Sequence, residues 1–178
     1  MNPTLGNPSS IGGPQRSAPN KVAPADGGDG LIDRWGRRHT DLRISVTDRC
    51  NLRCFYCMPP EGVPLLPREA ILDFDEIVRV VHVAARLGVR KVRLTGGEPL
   101  VRKNLPALIG RLAGEAGLAD LAMTTNGTLL ADYAQELRRA GLQRVNISLD
   151  TLDRRQFQAL TGQDALDQVL QGIEAAQA

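Results

Sequence analysis

The stretch Leu42-Arg43-Ile44-Ser45-Val46-Thr47-Asp48-Arg49-Cys50-Asn51-Leu52-Arg53-Cys54-Phe55-Tyr56-Cys57 decides the reading of this chain. Its first five residues alternate apolar and polar side chains, the period of a strand. The strand runs into a loop that holds every cysteine of the chain, spaced Cys-x-x-x-Cys-x-x-Cys at Cys50, Cys54 and Cys57. An odd number of cysteines crowded into one loop is no disulfide framework and points to metal or redox chemistry. Thiolates are soft ligands that suit zinc or iron–sulfur centres. A closed structural zinc site takes four ligands, so His39 or His82 would have to supply the fourth. His82 sits in a helical pattern among Val80, Val81 and Val83, and His39 precedes the strand, at the end away from the cysteines. Four cysteines are usual for a 4Fe–4S cluster. Three leave one iron open, and an open metal position is what substrate chemistry needs. The plain alternative, three unrelated structural thiols, sits poorly with their confinement to one loop.

Outward from this stretch the chain changes character. Residues 1–30 carry Pro3, Pro8, Pro14, Pro19 and Pro24 among many glycines, without a hydrophobic period. That composition predicts a disordered tail. On the other side, strands alternate with helices. After the first strand, Asp73 and Glu76 form a capping-box pair. Ile77, Val80, Val81, Ala84 and Leu87 follow at helical spacing, and Gly88 stops the helix. Val89–Leu94 reads as a second strand and Leu118–Met123 as a third, with a helix between them that Asn104 is expected to cap. A third helix ends at Gly141, Leu142–Leu149 is a fourth strand, and helices near 153–160 and 165–177 follow. The expected fold is α/β, a parallel sheet with right-handed crossovers.

Every unusual cluster falls at the C-terminal end of a predicted strand. Cys50 follows the first, Thr95-Gly96-Gly97-Glu98-Pro99 the second, and Thr124-Thr125-Asn126-Gly127 the third, while Ser148 and Asp150 end the fourth. In parallel α/β folds that end is where active sites are built. Asn146, Ser148 and Asp150 share one face by the period of two. Asp150 is alternatively a helix cap, and Asn126 alternatively a turn residue beside Gly127.

Composition narrows the function classes. A net charge of +2 gives no footprint for nucleic acid or an anionic membrane. Aromatic residues at 3% make base-stacking platforms unexpected. No apolar run approaches the ~20 residues that span a bilayer, and no secretory signal pattern is present. A cytoplasmic location is the expectation.

The cysteine spacing after a first strand, Tyr56 before the last cysteine and Gly96–Pro99 after the second strand resemble the radical-SAM superfamily. The resemblance implies an incomplete (β/α)₆ barrel. It also implies a 4Fe–4S cluster that delivers an electron to S-adenosylmethionine, giving methionine and a 5′-deoxyadenosyl radical that abstracts hydrogen from a substrate. The methionine nitrogen and carboxylate would take the open iron. The Gly96–Pro99 loop would hold the amino group through backbone acceptors around Gly97 and the Glu98 carboxylate. On this reading Gly97→Val weakens SAM binding and leaves iron content intact.

Within the superfamily, further stretches resemble the GTP 3′,8-cyclase family of molybdenum-cofactor biosynthesis. They are Asp33-Arg34-Trp35-Gly36-Arg37, Asp41 through Asn51, Cys57-Met58-Pro59, Val92 through Leu100, Thr124 through Gly127 and Val145 through Asp150. Trp35 stands where that family more often has a smaller apolar residue or Phe. The resemblance implies Cys50, Cys54 and Cys57 as metal ligands and Tyr56, Gly97 and Ser148 as SAM contacts. It implies Arg43, Arg93 and Thr124 as contacts to GTP, a lyase activity and an electron donor as partner, with a homodimer as a candidate assembly. Arginine suits a triphosphate because it is permanently charged and bidentate; the alternative is an Arg paired with Asp41 or Asp150. The family is about twice this length and carries a second three-cysteine set for a second cluster. Residues 31–178 are therefore expected to form the N-terminal part of the barrel domain, truncated after about four βα units. A radical-SAM enzyme with another substrate, and a non-catalytic iron–sulfur or zinc-binding fragment, are the competing readings.

Overall fold

The computed structural model describes residues 30–59 and 61–178; the tail expected over 1–30 lies outside them except for Gly30. The chain opens with a short antiparallel hairpin, β1 (Leu31–Ile32) and β2 (Arg38–His39). Asp33 organises its turn, its carboxylate accepting from the Trp35 and Arg37 backbone N–H groups and from Arg37 Nε at 2.7–3.0 Å. Four parallel strands follow in spatial order β3 (Asp41–Ser45), β4 (Lys91–Thr95), β5 (Asp120–Thr125) and β6 (Arg144–Ile147). Sequential order without reversal is the winding of a (β/α) barrel wall, not of a doubly wound sheet. Helices α1 (Phe74–Arg86), α2 (Leu105–Ala113) and α3 (Leu130–Arg139) fill the crossovers, and α4 (Arg154–Thr161) and α5 (Leu166–Gln177) follow the last strand.

Strand period two divides the sheet. Ile44, Val92, Leu94, Leu121 and Met123 pack with Ile77, Val81, Leu105, Leu108, Ile109, Leu112, Leu130 and Leu137 in one core, so α1, α2 and α3 cover the same face. Fully burying each such side chain contributes about 1.5–3 kcal/mol. The opposite face carries Asp41, Arg43, Ser45, Lys91, Arg93, Thr95, Asp120, Ala122, Thr124, Arg144 and Asn146, all but Ala122 exposed or half-buried. Phe157, Ala165, Leu166 and Val169 make a second, smaller cluster beside β6.

The capping box at α1 forms as its sequence predicts, with Glu76 N donating to Asp73 Oδ1 and Asp73 N to Glu76 Oε2, both at 2.8 Å. Asn104 does not cap α2 through its side chain. It adopts the left-handed conformation at φ 60°, which Asn tolerates, and its backbone carbonyl accepts from Ala107 N at 3.0 Å. Three strands begin two residues later than predicted. Val89, Leu118 and Leu142 each follow a positive-φ glycine and bond back into the preceding turn, to Ala84, Glu115 and Leu137 carbonyls. Val89 and Leu142 are the apolar residues of helix-stop motifs, and Leu118 closes a glycine turn beyond α2, rather than starting strands.

Candidate functional site

The four strand ends converge through hydrogen bonds that can be followed one by one. Beyond β3, the Thr47 and Arg49 carbonyls accept from Gly97 N and Glu98 N, each at 2.8 Å. Beyond β4, the buried Glu98 carboxylate accepts from Thr125 Oγ1 at 2.8 Å and Asn126 N at 2.7 Å. Beyond β5, Asn126 Nδ2 donates to Asn51 Oδ1 at 2.9 Å and lies 3.9 Å from Cys50 Sγ, while Asn51 Nδ2 donates to Thr128 Oγ1. Beyond β6, Asp150 accepts from Tyr56 Oη at 2.5 Å, and Ser148 N donates to Thr125 O at 2.9 Å. The cysteine loop is therefore tied to all three other segments. The C-terminal end of α4 supports it from outside, with Arg53 N and Phe55 N donating to Thr161 and Leu160 carbonyls and Gln163 Nε2 to Asn51 O.

Gly96 and Gly97 have a role that their flexibility alone did not suggest. A Cβ at Gly96 would lie 2.5 Å from Thr47 O, and one at Gly97 2.3 Å from Arg49 O. Both glycines exist here so that the second loop can lie flat against the cysteine strand. The Gly97 N–H faces that strand and donates to Thr47 O. Among the described residues, neither the Gly96 nor the Gly97 carbonyl receives a hydrogen bond. Glu98 points inward and is fully buried. Burial pushes its carboxyl upward, opposed by the donors from Asn126, Leu100 and Thr125.

All three thiols are free, with Cys50 and Cys54 half-buried and Cys57 exposed. Burial pushes the Cys50 and Cys54 thiols up. Cys54 adds to the effect at Cys50 and Cys57 to that at Cys54, so each thiol lies within the field of the next. Among the described residues no three His, Cys, Asp or Glu side chains converge to hold one metal ion. The two histidines have other partners, Glu115 for His82 and Asp33 for His39, which leaves a zinc site at the three thiols without a histidine as its fourth ligand. A 4Fe–4S cluster takes each thiolate on a different iron, and the three thiols of this loop would supply three of those positions. Tyr56 donates its hydroxyl to Asp150, which pushes its own titration far up. Asp150 is thus a partner of the cysteine loop, and the cap of α4 is Asp153, which accepts from Gln156 N at 2.9 Å.

The remaining candidate residues lie on the open face of the sheet. Arg43 on β3 is in register with Arg93 on β4, and the same row continues through Ala122 to Arg144. Arg43, Arg93 and Arg144 line a cavity of about 180 Å³ with Asp41, Lys91 and Asp120. Neither expected counter-ion pairs with Arg43 or Arg93. Asp41 lies 3.9 Å from Lys91, and Asp150 holds Tyr56. Asp120 is bound to Arg144, with Arg93 adding to its field. Among the described residues Arg43 and Arg93 form no ion pair within 4.0 Å. Thr124, on the same face, sits one register step nearer the cysteine loop, beside Asn146.

Sequence reasoning missed several contributors. Asn51, Thr128, Thr161 and Gln163 carry no local signal, because their partners are distant in the chain. Arg102 donates to Val46 O at 2.5 Å and Leu72 O at 2.7 Å with its guanidinium over Phe74, bracing the strand that leads to the cysteines. Asp48 accepts from Leu66 N at 2.6 Å and so ties the 61–72 segment to the cysteine loop. None of the helices among the described residues is long and apolar enough to cross a membrane.

Comparison with known proteins agrees with this geometry. The model of the Radical SAM superfamily matches residues 44–178. A GTP 3′,8-cyclase of Rhodopirellula baltica is 55% identical over 147 residues, covering 82% of this chain and 41% of that protein. One from Paenarthrobacter nicotinovorans is 52% identical over 154 residues, covering 86% of this chain and 43% of its own length. The chain thus spans less than half the length of these relatives. Among solved structures, HydG, a maturase of the [FeFe]-hydrogenase, superposes with a TM-score of 0.63 at 14% identity, over 77% of this chain and 32% of its own. Methylornithine synthase does so at 0.61 and 17%, over 77% and 41%. Streptococcus suis SuiB bound to S-adenosylmethionine does so at 0.60 and 21%, over 76% and 29%. A parallel sheet wound in sequence, a cysteine loop braced at its C-terminal end and a family model spanning that sheet lead to one conclusion: the chain belongs to the radical SAM superfamily.

Proposed function

We propose that this chain is part of a GTP 3′,8-cyclase, with residues 31–178 forming the N-terminal part of its barrel domain. Cys50, Cys54 and Cys57 hold one 4Fe–4S cluster, and S-adenosylmethionine occupies the open iron. When bound, these groups supply one-electron reductive cleavage of SAM to a 5′-deoxyadenosyl radical. The chain's own residues place the reactants. The unbonded Gly96 and Gly97 carbonyls accept from the methionine ammonium, the cysteine loop at Tyr56 borders the SAM site, and Ser148 donates toward the carboxylate or ribose. Arg43, Arg93 and Thr124 receive GTP, the arginines taking its phosphates. The names of the 52–55% identical relatives support this substrate.

One observation carries the reading. Two arginines in register, which among the described residues form no ion pair within 4.0 Å, share the open sheet face with Thr124. Arginine on a strand face that a closed barrel would bury is costly unless an anion meets it. The reducing partner is an electron donor. The test is equilibrium binding of GTP to the chain, compared with Arg43→Ala and Arg93→Ala. The reading expects weak, salt-sensitive binding that each substitution reduces about tenfold or more, the value of a charge-assisted bidentate contact. GTP affinity equal in the parent and both variants would remove the arginines from the site.

A further inference from the structure

Glu98 belongs to the loop that the superfamily resemblance aims at SAM, yet its side chain is turned into the protein. It is 0% exposed. Oε1 accepts from Leu100 N at 3.0 Å and Thr125 Oγ1 at 2.8 Å, and Oε2 accepts from Asn126 N at 2.7 Å. An ionised carboxylate has about four acceptor sites, and three are taken by the protein. The Thr125 hydroxyl in turn accepts from Gly127 N at 3.0 Å. The Thr125–Thr128 turn is thus fastened to Glu98 at two points.

That turn carries Asn126, whose side chain is fixed at both ends. Its Oδ1 accepts from Thr128 N and Thr128 Oγ1 at 3.0 and 2.8 Å. Its Nδ2 donates to Asn51 Oδ1 and lies 3.9 Å from Cys50 Sγ, within the longer range of N–H···S contacts. Asn51 directly follows Cys50, so both donations act on the same corner of the cysteine loop. Hydrogen bonds to ligand sulfurs set the potential of an iron–sulfur centre, and groups behind the ligands fix their orientation.

We infer that Glu98 is a positioning residue, holding the Thr125–Thr128 turn so that the Asn126 amide donates to Cys50 and Asn51, and is not a contact of SAM. The inference rests on the reading of Cys50, Cys54 and Cys57 as cluster ligands. It names Asn126 as the group through which Glu98 acts.

Glu98→Gln is the informative change, because it is nearly isosteric. If its carbonyl serves Leu100 and Thr125, its NH₂ meets the Asn126 N–H, donor against donor. In the metal-free chain, backbone hydrogen exchange at Asn126 should accelerate about ten- to a hundredfold. In the reconstituted chain the cluster midpoint potential should become more negative, since a donor that stabilises the reduced form is lost. Asn126→Ala should lower it as well. The double variant should go no further than Asn126→Ala alone, which marks action through one path. SAM affinity in Glu98→Gln should stay within threefold of the parent. Unchanged exchange at Asn126 or additive potential shifts would overturn the inference. So would a tenfold loss of SAM affinity at unchanged potential. Should Glu98→Gln fail to fold, an unchanged potential in Asn126→Ala, a half-buried site, overturns it alone. A chain that takes up no cluster refutes the cysteine reading instead, while the exchange measurement still decides the link from Glu98 to Asn126.

Discussion

Gly97→Ala adds one methyl group at the tightest backbone crossing of the site. The new Cβ would lie 2.3 Å from Arg49 O, 2.6 Å from Arg49 C and 3.0 Å from Asp48 O, where ordinary contact begins near 3.4 Å. The loop and the cysteine strand must separate by about 1 Å for van der Waals contact to be restored. No side-chain rotation relieves the clash, because the obstructing atoms are backbone. Two hydrogen bonds cross this gap, Gly97 N to Thr47 O and Glu98 N to Arg49 O, both at 2.8 Å. Losing them costs about 1 kcal/mol each, and overpacking adds about 1–3 kcal/mol. The expected loss is about 3–5 kcal/mol, a large share of the roughly 5–15 kcal/mol available to a domain. Urea unfolding of the metal-free chain, followed by circular dichroism, measures it. The displaced Arg49 directly precedes Cys50, so iron uptake should fall too. This replaces the expectation, from sequence, that a larger residue at 97 would spare the iron. A destabilisation under about 0.5 kcal/mol with full iron uptake would show that the two strands are not packed as described.

Gly110→Ala should act in the opposite direction, stabilising the chain by about 0.5–1 kcal/mol. Gly110 is inside α2, and the nearest atom to its added Cβ is Ala140 O at 3.9 Å; thermal unfolding reads the sign. Gly172→Ala should destabilise by about 1–3 kcal/mol through overpacking, since its Cβ would lie 2.5 Å from Gly127 O where α5 crosses the Asn126–Gly127 turn. Asp120 is held below its ordinary value of 3.8, chiefly by the hydrogen bond from Arg144. A depressed carboxylate stabilises the fold above its unfolded pKa, and the contribution disappears as pH falls through the folded one. Asp120→Asn should therefore lower stability slightly at neutral pH, as an exposed ion pair does. The difference should vanish once the parent Asp120 is protonated; paired unfolding curves across the acid range check this.

The layout was legible in the sequence because each strand end carries a residue type that strands and helices do not otherwise need. Cysteines, paired glycines with Glu98, Asn126 with Gly127, and Ser148 with Asp150 all fall at C-terminal strand ends, and the hydrogen bonds join them there. Strand starts were less legible. Val89, Leu118 and Leu142 are apolar and look like strand residues, but Val89 and Leu142 complete glycine stops of the preceding helices and Leu118 closes a glycine turn beyond α2, features that hydrophobic periodicity does not separate from a strand. The β1–β2 hairpin was missed because two-residue strands show no period. The inward turn of Glu98 was hidden for another reason. Its three partners all lie at the packed crossing of two loops, and a charged residue in a glycine loop reads as a ligand contact until its burial is known. Likewise Asp150 stood equally well as a helix cap, and only its distance from Tyr56, 2.5 Å across 94 residues of sequence, assigns it to the cysteine loop.

Whether Cys50, Cys54 and Cys57 hold a 4Fe–4S cluster with an iron open to SAM is tested most directly by EPR of the reduced chain after anaerobic reconstitution. The predicted result is one reduced-cluster signal per chain that changes shape on addition of SAM and is lost in Cys50→Ala, Cys54→Ala and Cys57→Ala alike. A cluster retained in any one of the three variants, or a signal indifferent to SAM, would contradict it.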